Sequence, residues 1–419
     1  MTIQMTTLPN GLRVITDTVK EVDSVAMGMW VDVGTRHEDM KDNGVAHMVE
    51  HMLFKGTPTR NTTEIVEQLE EVGADVNAYT GREITAYHVR LLKEDLPLAL
   101  DIYSDFIQHS TMPEDEIERE RGVILQEIDM YNDQPDEQVF DLYQEKAYPG
   151  QTLGASILGD PGIIKAMKRD VMMDYVQRFY TPKRLVVSAA GHVDHDDFVK
   201  RVGDAFTDLP PDLSFDPKPA EYVGGDYRVQ KDTEQSHLLI GFRGLPRRHE
   251  NMFGVVALAT ILGGGMSSRL YQEIREKRGL VYSIFAFHTT YQDDGQFALY
   301  AGTSPEHLPE LVPVACEEIL KFADTLTEKE LDRAKAQMRA NLLMGRESMM
   351  SRANQQAKHL VHFGEVLDTA SKIKKINELT VNDVVRAARD IFATTPTVAA
   401  LGPVDQLESY EQICKRLAG

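Results

Sequence analysis

The chain has 419 residues, 42% hydrophobic and 26% charged, with a net charge of -21. This is ordinary globular material, long enough for two domains with full cores, and its acidic balance without a basic stripe argues against a nucleic-acid partner. Only two cysteines occur, Cys316 and Cys414, so neither a disulfide framework nor a Cys-based zinc site is expected. The acidic surface serves solubility or, alternatively, attraction of basic peptides. No apolar run approaches the ~18 residues that span a bilayer, and the start lacks a basic segment followed by an apolar one. No membrane insertion and a cytoplasmic address are therefore expected.

In chain order, residues 11–17 and 24–33 carry β-branched and alternating apolar side chains and read as strands. An apolar helical stretch follows, with Asp42 and Asn43 as candidate N-caps and Lys55-Gly56 as a cationic last turn and stop. Inside it lies His47-Met48-Val49-Glu50-His51. Histidines at i and i+4 share one helix face, where two imidazole nitrogens can close on a single Zn²⁺, and Glu50 beside them can draw a proton from a water held there. Val45, Ala46, Val49, Met52 and Leu53 make the helix apolar around much of its circumference, so part of the polar trio is buried and needs partners. The plainer reading is a pair of core histidines.

Residues 64–72 show helical periodicity up to Gly73, and 75–79 with 85–92 read as a strand pair around Thr80-Gly81-Arg82-Glu83. Long helical patterns cover 96–107 and 114–131, the second opened by the capping-box pattern Thr111-x-x-Glu114. Along Ile117, Glu120, Ile124, Glu127 and Tyr131 the steps alternate between three and four, so two carboxylates interrupt an otherwise apolar stripe. Glu127 reads as a third metal ligand and Glu120 as a group that holds a histidine. A buried ion pair, for which Arg119 and Arg121 are nearby candidates, or a helix rotated with its stripe in water, are the alternatives.

From 209 to 226, Pro210, Pro211, Pro217, Pro219 and Gly224-Gly225 break all periodicity. The expected organisation is a metal-binding domain over 1–212, a linker over 213–226 and a second domain over 227–419. The halves repeat: Arg36-His37-Glu38-Asp39 is echoed by Arg248-His249-Glu250-Asn251, and Leu96-Pro97 by Leu308-Pro309. Aligning Gly44-Val45-Ala46 with Gly254-Val255-Val256 puts Ala257, Thr260 and Ile261 where the first half has His47, Glu50 and His51. The second copy keeps the helix without metal ligands. The fold class is α+β: two homologous halves, each a mainly antiparallel sheet packed against helices, joined by a Pro/Gly-rich linker.

The segment HMVEHMLFKGT, followed 76 residues after His51 by Glu127 in ERERGVILQE, resembles the inverzincin pattern of the pitrilysin (M16) family of metallopeptidases, especially short members related to the mitochondrial processing peptidase β-subunit. The resemblance implies one zinc ion per chain held by His47, His51 and Glu127, with Glu50 as base and Glu120 assisting. Asn77-Ala78-Tyr79-Thr80 resembles the family's edge strand, which pairs with the substrate backbone, whereas the residues alone fit a plain interior strand equally. Gly263-Gly264-Gly265 followed by Arg275 and Tyr282 is similar to the family's glycine-rich turn and its Arg and Tyr seven residues apart, which contact substrate from the non-catalytic half. Taken alone, the triple glycine is a tight turn at a helix end. With one metal-bearing half and one degenerate half, the chain is implied to work as a dimer whose chamber admits unfolded peptides. A homodimer is expected, a heterodimer with an inactive homologue is the variant, and a catalytically silent scaffold is the competing class.

Overall fold

The computed structural model describes residues 2–215 and 217–419. Two compact units result, and each takes a piece of chain from the other half of the sequence. The first comprises Met1–Ile128, Ser156–Pro217 and Leu343–Leu367; the second comprises Asp129–Ala155, Lys218–Leu342 and Asp368–Gly419.

The strands are β1 (Thr2–Thr7), β2 (Arg13–Thr18), β3 (Ser24–Val31), β4 (Asp75–Thr80), β5 (Thr85–Leu92), β6 (Leu185–Gly191), β7 (Gly225–Gln230), β8 (Ser236–Arg243), β9 (Val281–Thr290), β10 (Gly295–Thr303) and β11 (Thr397–Gly402). They form one sheet ordered β1-β2-β6-β3-β5-β4 and another ordered β7-β11-β8-β10-β9. With β1 removed, the second order repeats the first. Pairing is antiparallel apart from β2 with β6 and its counterpart β7 with β11, among the described residues. The sequence reading has no strand at β1, where Ile3 and Met5 alternate with polar residues over only six positions and both stay exposed at the sheet edge. The stretch 209–224 carries neither helix nor strand among its described residues, and β7 begins at Gly225.

Helices follow the same duplication. The first half supplies α1 (Val45–Leu53), α2 (Thr62–Glu70), α3 (Leu96–His109), α4 (Glu114–Asn132), α5 (Pro135–Ala147), α6 (Pro161–Ala166), α7 (Arg169–Phe179) and α8 (His195–Ala205). The second supplies α9 (Met252–Gly263), α10 (Leu308–Thr325), α11 (Glu328–Met344), α12 (Met349–Phe363), α13 (Thr369–Glu378), α14 (Val381–Phe392) and α15 (Tyr410–Ala418).

In the first unit, one sheet face is covered by the helical layer that includes α1, α3 and α7. Met27, Met29 and Val31 of β3 meet Met48, Met52 and Phe106 there. On the opposite face Ala26, Trp30, Ala86 and Val186 meet Ala353, Ala357 and Leu360 of α12. Burial on both faces explains why β3 and β6 read as nearly continuous apolar runs. Polar pins fix α12: Arg352 pairs with buried Asp17 at 2.8 Å, and Gln356 donates to Ser188 Oγ and the Ala189 carbonyl, each at 2.9 Å.

The second unit repeats this plan with its own sheet. Leu238, Ile240 and Leu299 face the layer containing α9 and α10, whereas Leu239, Ala298 and Leu401 face Val139, Leu142 and Tyr143 of α5. Helices α5 and α12 are counterparts in the repeat, starting at Pro135 and Met349, each just after the long helix α4 or α11. Each therefore covers the sheet of the opposite half.

Candidate metal centre

Helix α1 sits where the sequence places it, but its start is built differently. The N-cap is Gly44, with φ of 95°, and its ideal Cβ would come within 2.8 Å of Gly159 Cα, so both sterics and conformation require glycine. Asp42 and Asn43 are not the caps. The buried Glu38 carboxylate accepts from the Gly44 and Ala46 N–H groups at 3.0 and 2.9 Å, and from the Asn43 side chain at 3.0 Å. A carboxylate at a helix N-terminus satisfies orphan donors and favours the dipole, and Glu38 does so from a loop six residues upstream of the cap.

Burial pushes the Glu38 carboxyl up to about 7, against the pull of these three N–H donors. Raised above its unfolded value near 4.5, this group adds stability at acid pH that is lost as pH climbs from about 4.5 through about 7. The stability difference between wild type and Glu38→Gln, measured by chemical denaturation of metal-free protein, should therefore shift against wild type by up to about 3 kcal/mol between pH 4.5 and 7.5. A flat difference would mean the donors keep Glu38 ionised throughout.

One turn apart on α1, His47 and His51 bring their ring centroids to 4.7 Å. Glu127 Oε2, on α4, lies 3.7 Å from His47 Nε2 and 3.8 Å from His51 Nε2. One ligand atom from each of the three residues lies within 4.8 Å of the others. Donors at ~2.0–2.1 Å from a tetrahedral ion stand ~3.3 Å apart, so small side-chain rotations would close the trio on a metal. The donor set of two imidazoles and a carboxylate suits a divalent ion of intermediate softness.

The second carboxylate of the α4 stripe orients this set. Glu120 Oε2 is 2.8 Å from His51 Nδ1, and Glu120 Oε1 accepts from Lys55 Nζ at 2.7 Å. Burial opposes ionisation of Glu120, but the hydrogen bonds from His51 and Lys55 outweigh it and hold the carboxyl below its usual range. This bond leaves His51 Nε2 turned toward Glu127, the arrangement in which an outer carboxylate fixes the tautomer of a metal-binding histidine. The buried ion pair therefore exists at Glu120, with Lys55 as its partner and not an arginine: Arg119 pairs with Glu116 and Asp115, and Arg121 with Glu118 and the carbonyls of Ile164 and Met167. Burial, then the neighbouring His51, lowers His47 to about 3, so its imidazole is neutral at ordinary pH.

Glu50 stands beside the trio as its fourth polar group. Burial raises its carboxyl above the usual range, and Thr80 Oγ1 donates to Glu50 Oε2 at 2.6 Å. Thr80 closes β4, which forms the sheet edge with β5 as its neighbour, so the interior-strand alternative for residues 77–80 does not hold. Asn77 is exposed, and its side chain accepts from the Ala78 N–H at 2.8 Å.

In the second unit, Ala257 and Ile261 are buried and Thr260 bonds to the Val256 carbonyl, so α9 carries an apolar core face where α1 carries ligands. Gly263 and Gly264 end α9 in a tight turn. Arg275 lies in a π-helical turn over the Tyr271 ring, 4.9 Å from its centroid, and 5.9 Å from that of Tyr282, which is 75% exposed on β9. The residues singled out from the sequence, the trio with Glu50 and Glu120, lie together, and the structure adds Glu38, Lys55 and Thr80 to their surroundings. Of these, Lys55 left a signal, since it follows His51 by one helical turn.

Comparison with known proteins agrees with this architecture. Residues 13–161 match the model described as "Insulinase (Peptidase family M16)", and 166–338 match "Peptidase M16 inactive domain". A Rickettsia felis protein named "Uncharacterized zinc protease" is 38% identical over 95% of this chain and 97% of its own. The Bacillus subtilis "Uncharacterized zinc protease YmxG" is 35% identical over 97% of this chain and 100% of its own. A crystal structure of a protease from Helicobacter pylori shares the fold with a TM-score of 0.88, at 24% identity, over 96% of this chain and 99% of that one. A Pseudomonas fluorescens structure described as a peptidase M16 inactive domain also gives 0.88, at 21% identity, over 97% and 99%. With two family models covering both halves and relatives aligned along nearly the whole length, the chain belongs to peptidase family M16.

Proposed function

We propose that this chain is a zinc-dependent endopeptidase of the H-x-x-E-H type, hydrolysing unfolded peptides or presequence-like segments inside a dimeric chamber. The observation that carries the reading is the convergence of His47, His51 and Glu127 beside a half-buried carboxylate, Glu50, on the helix of the two histidines. One zinc ion per chain would be held by the trio. When bound, zinc supplies a Lewis acid that polarises a carbonyl and lowers the pKa of water from 15.7 toward about 7.

The chain's own residues do the rest. Glu50 takes the proton of the attacking water and passes it to the leaving amine, a task suited to a carboxyl raised by burial. Glu120 and Lys55 keep the His51 ring in place. Strand β4, with one edge open, receives the peptide as an added strand at Asn77 and Ala78, so that main-chain hydrogen bonds accept varied sequences. Arg275 and Tyr282 are further peptide contacts, the hydroxyl of Tyr282 donating to the developing oxyanion. A homodimer supplies the chamber, each chain carrying both the metal trio and the Arg/Tyr pair.

Incubation of purified chain with a mixed peptide library should give internal cleavages that a chelator abolishes and added Zn²⁺ restores. Cleavage indifferent to chelation, or full activity in a chain that sediments as a monomer, would rule out the zinc centre or the chamber respectively. Among the described residues no helix is long and apolar enough to cross a membrane.

A further inference from the structure

Strand β4 is tied down on both faces at its last two residues, and the two ties lead to different places. Thr80 points toward α1 and donates to Glu50 at 2.6 Å. Tyr79, one residue earlier, projects to the opposite face, as alternation in a strand demands. There its hydroxyl donates to Asn354 Oδ1 at 3.1 Å, on α12. The same oxygen accepts from the indole N–H of Trp30 on β3 at 3.0 Å.

Register explains why one amide can reach both rings. Trp30 and Tyr79 each stand opposite Ala86 of β5, so the three form one cross-strand row with a methyl group at its centre. The Asn354 oxygen joins the two aromatic donors that flank this small residue. His88, two residues along β5 on the same face, lies against both rings, with centroids 6.4 Å from Trp30 and 6.1 Å from Tyr79. Trp30 is fully buried at the middle of the sheet, whereas β4 at the edge is held by one neighbouring strand. An edge strand so placed needs side-chain anchors if its end is to stay in one position.

We propose that Asn354 is a positioning residue for peptide hydrolysis: by bonding to Trp30 and Tyr79 it locks the end of β4 to the sheet interior, and Thr80 carries that position to Glu50. The inference rests on the reading of Glu50 as base. It assigns α12, which comes from the half of the sequence without metal ligands, a part in placing the proton acceptor. Asn354 touches neither peptide nor metal in this account. Its effect travels through Tyr79, the backbone of β4 and the Thr80 hydroxyl.

The test uses full-length zinc-loaded chain and a peptide that wild type cleaves, with Tyr79→Phe, Asn354→Ala, Asn354→Asp, Thr80→Val and Thr80→Ser. Tyr79→Phe and Asn354→Ala should lower kcat about tenfold and raise KM, because the displaced strand also carries the peptide, while zinc stoichiometry stays at the wild-type value. Thr80→Val should lower kcat with KM within about twofold, since it removes the hydroxyl link to the base and leaves the bond from the Thr80 backbone to Glu50. Asn354→Asp and Thr80→Ser, which keep the acceptor and the hydroxyl, should recover most of the rate.

Two readouts in metal-free protein are independent of turnover. Tyr79→Phe should speed amide exchange across residues 75–80. Trp30 is the sole tryptophan, so its emission should change in Asn354→Ala and revert in Asn354→Asp. If Asn354→Ala is too unstable to purify, Tyr79→Phe decides alone, because it leaves the buried indole paired. Wild-type kcat and KM in Tyr79→Phe, with active wild type, overturn the inference and leave the base assignment standing. Full activity in Glu50→Gln sinks both.

Discussion

Glu50→Gln should retain zinc at wild-type stoichiometry while losing peptide hydrolysis by about 10³-fold or more, toward the upper end of what general acid–base catalysis contributes. The amide is nearly isosteric, its oxygen can still accept from Thr80, and none of His47, His51 and Glu127 is altered. What it cannot do is take a proton. Burial disfavours the ionised carboxylate, so the variant should also melt no lower than wild type at neutral pH, as expected where a site carries destabilising groups for function. Elemental analysis, thermal melts and turnover on one preparation separate the possibilities. Near-normal turnover in metal-loaded Glu50→Gln would remove Glu50 from the role of base.

Glu127→Ala should act at the opposite step. It deletes one of three donors and leaves two imidazoles, so zinc affinity should fall by more than the ~10–100-fold typical of losing an outer hydrogen-bonding partner. Glu120→Gln is the internal standard for that smaller effect, because Glu120 contacts His51 Nδ1 and Lys55 and lies outside the donor trio. Competition with a chelator of known affinity gives the order wild type, then Glu120→Gln, then Glu127→Ala. Equal zinc retention in wild type and Glu127→Ala would exclude the third-ligand assignment. Glu127 is partly exposed and Glu120 buried, so the alanine change at 127 should cost the fold little and report mainly on the metal.

How much of this was readable beforehand depends on how local each determinant is. The i, i+4 histidines and the carboxylates of α4 are stamped by helical periodicity, but the second stripe fits a buried ion pair as well, and the pairing of the two helices around one ion followed from the family resemblance. The strand pair β4 and β5 was legible from its alternation, and its edge position followed only from family resemblance. The N-terminus of α1 was misread because the expected caps, Asp42 and Asn43, are local, whereas the actual acceptor is Glu38, delivered by the path of a loop. Thr80 and Asn354 were invisible for the same reason. A threonine at a strand end and an asparagine in a helix have no periodic signature, and their partners lie 30 and 324 residues away. The repeat was visible as matched words at a spacing near 212 residues, and β2 and β7, starting at 13 and 225, keep that spacing in space as well.

The crossing of α5 and α12 between halves has a historical and a practical meaning. Two copies of one ancestral domain that trade an equivalent arm are what a swapped homodimer becomes when its subunits are joined end to end. Severing the polypeptide in the Pro/Gly stretch would then produce two fragments, each lacking the arm that roofs its own sheet and each carrying the arm the other lacks. Expressed singly, such fragments should be sticky and poorly ordered; expressed together, they should rescue one another without a covalent bond.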